Sequence, residues 1–326
     1  MKPSRIRFLV ACVAVAVMVF GAGLALAADK TIRLASTFPK GHLLIDASEK
    51  FKEIVEKGSN GKIKVEIQAG AGSEKDVNEW CSQGKVEMQV TGGQPLQVSA
   101  PQYFFFNAPY VMKDFDHFMR VWNGPLGKKA REEVEKNGSK TYLGIVDRGM
   151  RQTTSKKPIK TPADVKGLKL RLPEVPTWIA VWKEIVTDPV AIPLPQLYDA
   201  LKEGKAEASE GDLTQIASAK LNEVQSDLTM TNHLVQTGGI LINKPFSDKL
   251  SKDEQALVVK AAKEATDWAN AKFKAGESTL LADLQKKGMK VGQPDAEAFR
   301  AKAKPAVEAL FKKEWPVTTW EEVLKQ

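Results

Sequence analysis

The sequence has few of the residues on which disulfide frameworks, zinc sites and histidine catalysis depend. Its 326 residues include only 2 cysteines and 3 histidines. Cys12 falls in an N-terminal apolar run, so Cys81 is the one thiol left if that run is removed, and no intramolecular disulfide can then form. His42, His117 and His233 have neither the paired spacing of a zinc site nor a nucleophile motif nearby. We therefore expect no disulfide and no bound metal.

Motifs that bind cofactors or carry out catalysis are missing as well. There is no phosphate-binding loop, dinucleotide fingerprint or G-x-S-x-G elbow, and no pair of carboxylates has the spacing of a general acid and base. The net charge is +8, or +5 without the three N-terminal basic residues, and it is not gathered into blocks. This distribution argues against a nucleic-acid partner and is compatible with an anionic ligand. We expect a protein that is not an enzyme and uses no cofactor.

The first 27 residues predict a secretory signal peptide. Lys2, Arg5 and Arg7 precede an uncharged apolar run over residues 8–26, and the small residues at its end favour cleavage after Ala27. An uncleaved membrane anchor is the alternative, because the run approaches the roughly 20 residues that a spanning helix needs. We expect an exported, periplasmic protein.

Hydrophobic patterns beyond this run predict an α/β fold in two lobes. Strands over 31–37, 62–68, 86–91 and 142–147 alternate with helices over 43–57, 74–83 and 126–136, which predicts a parallel sheet. A strand over 169–172, a helix over 195–205, a strand over 206–211 and a helix over 214–224 suggest a second lobe. Residues 251–287 predict a helix of roughly 35 residues, about 50 Å long, that could brace both lobes. Two helices broken near Gly276 are the alternative.

Arg171 has a position that favours ligand binding. Alternation in the strand over 169–172 places Arg171 opposite Leu170, and Pro173 stops the strand. Ligands of open α/β sheets bind beyond the carboxyl ends of strands, and a guanidinium can grip a carboxylate through two parallel N–H groups. A solvated surface ion pair is the bland alternative.

Several ordered motifs resemble one protein family. They are RQTT at 151–154, KPIKTPAD at 157–164, KGLKLRLP at 166–173, YDALKEG at 198–204, Ile242-Asn243, and LSKDEQ at 250–255. Each is weak alone, but their order and spacing resemble the DctP-type solute-binding proteins of tripartite ATP-independent periplasmic (TRAP) transporters. The likeness covers essentially the whole chain after the signal peptide.

The resemblance implies a fold, a function and two site residues. Two α/β lobes would close over an organic acid, a long helix would span both lobes, and a monomeric protein would deliver its cargo to a TRAP membrane permease. Arg171 would hold the carboxylate by a two-point salt bridge, with Arg151 as a second arginine nearby. The lobes would comprise 28–148 plus about 237–276, and 149–236 plus about 277–326. A ligand-sensing protein that feeds a membrane receptor is the competing class.

One departure from the family pattern lies near residue 211. The family usually has an asparagine there that helps hold the carboxylate, whereas this chain has Gly211 followed by Asp212. Asp212 is therefore a candidate acceptor for a ligand donor, or simply the cap of the following helix. Glu74 is a further candidate contact, or a residue that complements its helix N-terminus.

Aromatic residues guide the expectation about the ligand. Phe38, at the end of the first strand, and Trp178, just after the Arg171 strand, are expected at the site, while Trp80 and Trp182 are weaker candidates. They favour an aromatic or bulky monocarboxylate, such as an aromatic amino acid or a 2-oxo acid. The alternatives are that the aromatics belong to the core and that the cargo is a C4-dicarboxylate or a sugar acid.

Overall fold

The computed structural model describes residues 30–326, so the predicted signal peptide lies outside the described residues. Within them, eleven strands form two separate sheets. The strands are β1 (Lys30–Ser36), β2 (Ile63–Ala69), β3 (Met88–Thr91), β4 (Lys140–Met150), β5 (Gln152–Ser155), β6 (Lys169–Leu172), β7 (Asp188–Ala191), β8 (Ala208–Gly211), β9 (Asp227–Thr229), β10 (Val235–Asn243) and β11 (Lys290–Gly292).

Twelve α-helices accompany these strands in the described part of the chain. They are α1 (Leu43–Gly58), α2 (Glu74–Ser82), α3 (Gln94–Ser99), α4 (Phe115–Asn123), α5 (Pro125–Gly138), α6 (Pro176–Glu184), α7 (Leu197–Lys202), α8 (Leu213–Ser218), α9 (Lys244–Ser247), α10 (Lys252–Lys286), α11 (Ala296–Lys313) and α12 (Trp320–Leu324). Short 3-10 helices span Pro101–Asn107, Pro162–Val165, Leu194–Gln196 and Leu221–Glu223.

The first sheet has the order β2-β1-β3-β10-β4 and is mixed. β1 pairs parallel with β2 and β3, as the strand-helix-strand pattern predicts, but β10 runs antiparallel to both β3 and β4. The prediction of a purely parallel sheet was therefore wrong. The reason is that β10 returns from the second sheet and enters the first from the opposite direction. All its residues are buried, as expected for a central strand.

The second sheet has the order β11-β9-β5-β8-β6-β7. The chain passes from the first sheet to the second between β4 and β5, at Arg151, and returns between β9 and β10. Each sheet packs on an apolar cluster of its own, and a third cluster includes residues of both sheets, such as Leu241 and Leu170. The two sheets define two lobes, which confirms the predicted fold class.

The long helix α10 is unbroken over 35 residues and Gly276 lies within it. Its first two thirds contribute apolar residues such as Ala265 and Phe273 to the core beneath the first sheet, and Leu284 near its end lies in the core of the second. A Ser251 capping box fixes its start. The helix therefore spans both lobes, and the alternative of two helices is excluded.

Two predicted helices of the second lobe are shorter than the pattern indicates. The helix predicted over 214–224 is α8 followed by a 3-10 turn, because Lys220 adopts a left-handed backbone conformation with φ of 54°. The helix predicted over 195–205 is divided into a 3-10 turn and α7.

No helix between residues 30 and 326 combines the length and apolar character needed to cross a bilayer.

Candidate ligand-binding site

A pocket lies between the two lobes, and we call it the interlobe pocket. It holds about 620 Å³ of empty space, counted out to its open mouth. Residues from both lobes line it: Phe38, Ser73, Glu74, Lys75, Gly93, Gln94, Gln97, Phe104, Asn107, Arg148, Arg151, Arg171, Pro173, Glu174, Val175, Trp178, Pro193, Leu194, Gln215 and Gln236. Five of the six residues predicted for the site thus meet at one place, although they are widely separated in the sequence.

Arg171 extends from the end of β6 into the wall of this pocket and is only 1% exposed. Its Nε donates to the backbone oxygen of Ile192 at 2.7 Å, which fixes the guanidinium, while its Nη2 is buried without a hydrogen-bond partner. No carboxylate among residues 30–326 forms an ion pair with it. Burial lowers the pKa of Arg171 to about 10, so the group remains charged at neutral pH. A fixed, buried cation of this kind is suited to an anionic ligand.

Arg151 lies at the crossing between the sheets and is already paired. Its Nε and Nη2 both donate to the carboxylate of Glu210, the latter at 2.6 Å, and its Nη1 donates to Gln236 at 2.8 Å. Burial would raise the pKa of Glu210, but Arg151 and His233 lower it to about 2. Arg151 therefore carries a charge that the protein itself neutralises, and it shapes the pocket wall.

A third arginine, Arg148, lines the pocket, and sequence reasoning did not identify it. Its Nη2 donates to Asp212 at 2.6 Å, and its Nε is buried without a partner. Because Arg148 belongs to β4 and Asp212 follows β8, this ion pair joins the two lobes. The left-handed Gly149, with φ of 78°, follows directly, and a Cβ there would lie 2.4 Å from Phe273. Only glycine fits this bend between Arg148 and Arg151.

Asp212 is the one predicted site residue that does not line the pocket. It is fully buried and caps α8, where its Oδ1 accepts from the backbone N–H of Gln215 at 2.9 Å. Burial would raise the pKa of Asp212, but Arg148, His42 and Arg151 lower it to about 2. The structure thus shows the capping role, together with an ion pair that the sequence did not indicate. A ligand contact of Asp212 stays a prediction.

The predicted aromatic residues cover the arginines. The Phe38 ring lies 4.4 Å from Arg148 Cζ, and the Trp178 ring lies 4.9 Å from Arg151 Cζ. Trp178 also donates its indole N–H to the backbone oxygen of Asn107, which ties the two sides of the pocket together. Trp182 is buried and packs against His233, and Trp80 does not line the pocket. Phe38 and Trp178 thus each pack against an arginine guanidinium, an arrangement that cation–π attraction favours.

His42 contributes to the ion pair from the side of the first lobe. It caps α1 by accepting from Leu44 N at 3.1 Å through Nδ1, and its Nε2 lies 3.4 Å from Arg148 Nη2. Burial and the neighbouring Arg148 lower the pKa of His42 to about 3, against the opposing effect of Asp212. The imidazole is therefore neutral beside Arg148, and because Nδ1 accepts, its Nε2–H can donate to Thr214 Oγ1, 3.3 Å away, but cannot accept from Arg148.

Glu74 lines the pocket at the start of α2, as predicted. Its Oε1 accepts from the backbone N–H of Gly92 at 2.7 Å, which connects α2 to the loop after β3. Asn107, which also lines the pocket, has its Oδ1 buried without a partner. Glu74 and Asn107 thus each bring a side-chain acceptor oxygen to the pocket wall, of which that of Asn107 has no partner.

The unpartnered polar atoms define what the pocket can bind. Three are nitrogen donors, Arg148 Nε, Arg171 Nη2 and Gln215 Nε2, and one is the acceptor Asn107 Oδ1. Buried polar groups in native proteins nearly always have partners, so this set indicates a ligand with several acceptor oxygens and a donor. No cluster of histidine, cysteine or carboxylate side chains able to hold a metal occurs within the described residues.

Most of the site residues that the sequence did not reveal share one property. Arg148, Glu210, His233 and Gln236 acquire their roles through partners that are remote in the sequence, whereas Gln215 is positioned by Asp212 and Gly211 nearby. Arg148 lies only three residues before Arg151, so proximity to a candidate arginine was the one available signal.

The fold and the pocket are those of a ligand-binding α/β protein with two lobes, and comparison with known proteins gives its family. The family described as "Bacterial extracellular solute-binding protein, family 7" (DctP) matches residues 34–314. A solute-binding protein of Roseobacter denitrificans is 30% identical over 313 residues, which are 95% of each chain. The sialic acid-binding periplasmic protein of Vibrio cholerae is 26% identical and covers 90% of this chain and 92% of its own.

Solved structures agree with this assignment. The TRAP periplasmic solute-binding protein of Roseobacter denitrificans with bound L-galactonate superposes with a TM-score of 0.86 at 28% identity, covering 91% of this chain and 99% of its own. A TRAP protein from Polaromonas bound to D-erythronate gives 0.84 at 25% identity, covering 91% and 97%. This chain belongs to the DctP family of solute-binding proteins. It is a solute-binding protein and not an enzyme, which confirms the family resemblance and the expectation that the protein is not an enzyme.

Proposed function

We propose that this protein captures a sugar acid in the periplasm and delivers it to a TRAP membrane permease. The observation that carries the proposal is Arg171, a fixed and buried cation in the interlobe pocket whose Nη2 lacks a partner. A ligand carboxylate would supply the missing counter-charge. In a site shielded from water such a pair is strong, although desolvation of both groups offsets part of the gain.

The other unpartnered groups favour a hydroxylated acid over the aromatic acid expected from the sequence. Beyond Arg171, the pocket offers the donors Arg148 Nε and Gln215 Nε2 and the acceptor Asn107 Oδ1. An aromatic monocarboxylate brings few acceptors beyond its carboxylate, and a C4-dicarboxylate in its ionised form has no O–H to give to Asn107. A polyhydroxy acid supplies both kinds of group. Phe38 and Trp178, which suggested an aromatic ligand, each already pack against an arginine.

The relatives support the same choice. Those at 25% identity or more include structures with L-galactonate and D-erythronate and a protein named for 2,3-diketo-L-gulonate binding. A C4-dicarboxylate-binding protein of Rhodobacter capsulatus is 29% identical over 260 residues, so identity alone does not separate the two classes. The sugar acid is preferred because the pocket contains both unpartnered donors and an unpartnered acceptor.

The mechanism that we propose is closure upon binding. Contacts such as Arg148 with Asp212 and Trp178 with Asn107 already join the lobes around the pocket. A ligand that touches both walls has higher affinity for the closed form, and only this difference can shift the equilibrium. We further propose a monomer with lobes of residues 28–148 plus about 237–276, and 149–236 plus about 277–326, secreted after cleavage behind Ala27.

The test starts with the protein purified from the periplasm. It is unfolded, and any released small molecule is identified by mass spectrometry. Unliganded protein is then titrated by calorimetry with L-galactonate, D-erythronate, D-glucuronate, succinate and phenylpyruvate. We expect a sugar acid to bind most tightly. Tightest binding of succinate or phenylpyruvate would overturn the choice of ligand class, and the absence of acid binding would overturn the proposed function.

Delivery is tested separately. The liganded protein is added to vesicles that contain a TRAP permease from the same organism, and uptake of the labelled acid is followed. Uptake that requires the binding protein is expected. Tight binding without any uptake would instead favour the ligand-sensing class.

A further inference from the structure

Gln215 is a buried glutamine in the wall of the interlobe pocket. It is 4% exposed, and its Nε2 has no hydrogen-bond partner. Burying an amide donor without a partner costs free energy, so an unpartnered group of this kind in a pocket wall indicates a contact that a ligand completes. The same side chain also borders a second groove, next to Leu194 and Tyr198, so it forms part of the partition between the two spaces.

Gly211 provides the space that this side chain occupies. A Cβ built on Gly211 would lie 2.5 Å from Gln215 Nε2 and 3.1 Å from its Cδ. The backbone of Gly211 is not in the left-handed region, so conformation alone does not require glycine there. The limited space requires glycine, because any larger residue would displace the end of the Gln215 side chain.

The base of the Gln215 side chain is held firmly. Its backbone N–H donates to Asp212 Oδ1 at 2.9 Å in the first turn of α8, and Asp212 is itself paired with Arg148. The carboxamide therefore lies against Gly211 on an anchored side chain, and the residue lines the pocket that Arg171 also lines. An anchored donor loses little conformational freedom when it binds a ligand.

We propose that Gln215 is a specificity-determining residue whose Nε2 donates to an oxygen of the bound acid, and that Gly211 is required for this contact. The inference rests on the proposed function, since it concerns the acid that Arg171 holds. A carboxamide carries a donor and an acceptor side by side, so Gln215 can donate to one ligand oxygen while its own oxygen accepts from a hydroxyl. It thereby favours hydroxylated acids over plain ones.

The experiment combines two substitutions, Gln215→Leu and Gly211→Ala, singly and together. Binding of L-galactonate, or of the sugar acid that binds the wild type most tightly, is measured by calorimetry. We expect Gln215→Leu to raise Kd roughly 10- to 100-fold, the range for a hydrogen bond to a charged group. Gly211→Ala should raise Kd through displacement of Gln215, so the double variant should be no weaker than Gln215→Leu alone.

A gain-of-function variant and a folding control complete the design. The Gly211→Asn, Gln215→Ala double variant places a carboxamide on β8 in the vacated space and should bind more tightly than Gln215→Ala alone. Circular dichroism and urea unfolding establish that each variant is folded. Unchanged affinity in Gln215→Leu, or fully additive losses in the double variant, would refute the inference. If the results for Gln215 refuted the inference but Arg171→Met abolished binding in the same series, only the role of Gln215 would be overturned. The proposed function would still stand.

Discussion

Arg171 and Arg151 line the same pocket, but the substitution of Arg151 should destabilise the unliganded protein and that of Arg171 should not. Arg171 is 1% exposed and has no carboxylate partner among the described residues, whereas Arg151 is 3% exposed and forks onto Glu210. Replacing each with methionine keeps a long apolar side chain and removes the charge. The comparison therefore separates a residue held ready for a ligand from one that maintains the structure.

The expected size of each effect follows from what the substitution leaves behind. Arg171→Met removes a buried charge with no counter-ion and leaves only the oxygen of Ile192 without its donor, so the unliganded protein should be about as stable as the wild type. Arg151→Met leaves the Glu210 carboxylate buried beside His233 alone. Removing one partner of a buried pair costs about 3–5 kcal/mol, and we expect a loss of that order in the free energy of unfolding.

For ligand binding, in contrast to stability, Arg171 should be the more important of the two arginines. Truncating one partner of a buried, hydrogen-bonded charge pair costs about 2–5 kcal/mol, so Arg171→Met should raise Kd by roughly 30- to 5000-fold. A ligand at one hundred times its wild-type Kd stabilises the wild type by about 2.7 kcal/mol, and at the same ligand concentration this increment should fall to about 0.9 kcal/mol or less in the variant.

The assay is urea unfolding of both variants and the wild type, each with and without the acid, together with calorimetric titration. Arg171→Lys serves as the matched control, because it keeps the charge but loses the planar fork. A loss of about 3 kcal/mol in unliganded Arg171→Met would show that Arg171 is structural. Retention of wild-type affinity would refute the carboxylate pairing itself.

Three further predictions concern pH and the backbone. The pKa of His42 in the folded protein is about 3, so below about pH 6.5 the unfolded chain binds a proton that the folded protein excludes, and stability falls as the pH drops through this window. His42→Asn keeps a capping side chain for Leu44 and should recover roughly 2 kcal/mol of the stability difference between pH 6.5 and 4.5, measured by urea unfolding; an unchanged pH profile would contradict the assignment. Gly276→Ala, in open space within α10, should stabilise the protein by about 0.5–1 kcal/mol, and a loss would show that the helix is not regular there. Gly149→Ala should instead destabilise it and weaken acid binding, because φ is 78° and the new Cβ would clash with Phe273; wild-type denaturation and affinity would refute this.

The interlobe pocket shows which site residues a local sequence pattern can place and which it cannot. Arg171 could be placed from the alternation of β6 and from the proline that ends this strand. In the structure, Arg171 lies near the carboxyl end of β6 and is buried. Asp212 could be placed as a helix cap, since capping acts within three residues. Its pairing with Arg148, 64 residues away, could not, because that depends on which element lies next to β8.

The sequence by itself determined six of the eleven strands, the extent of the helical segment that forms α10, the position of Arg171 and the family. These features depend on side-chain periodicity and on caps, which operate over a few residues, or on motifs read in order. Only the tertiary structure decided that β10 runs antiparallel through the first sheet, that Arg151 is neutralised by Glu210 while Arg171 is not, and that Gln215 occupies the space beside Gly211. Charge pairing and the filling of space depend on residues that only folding brings together.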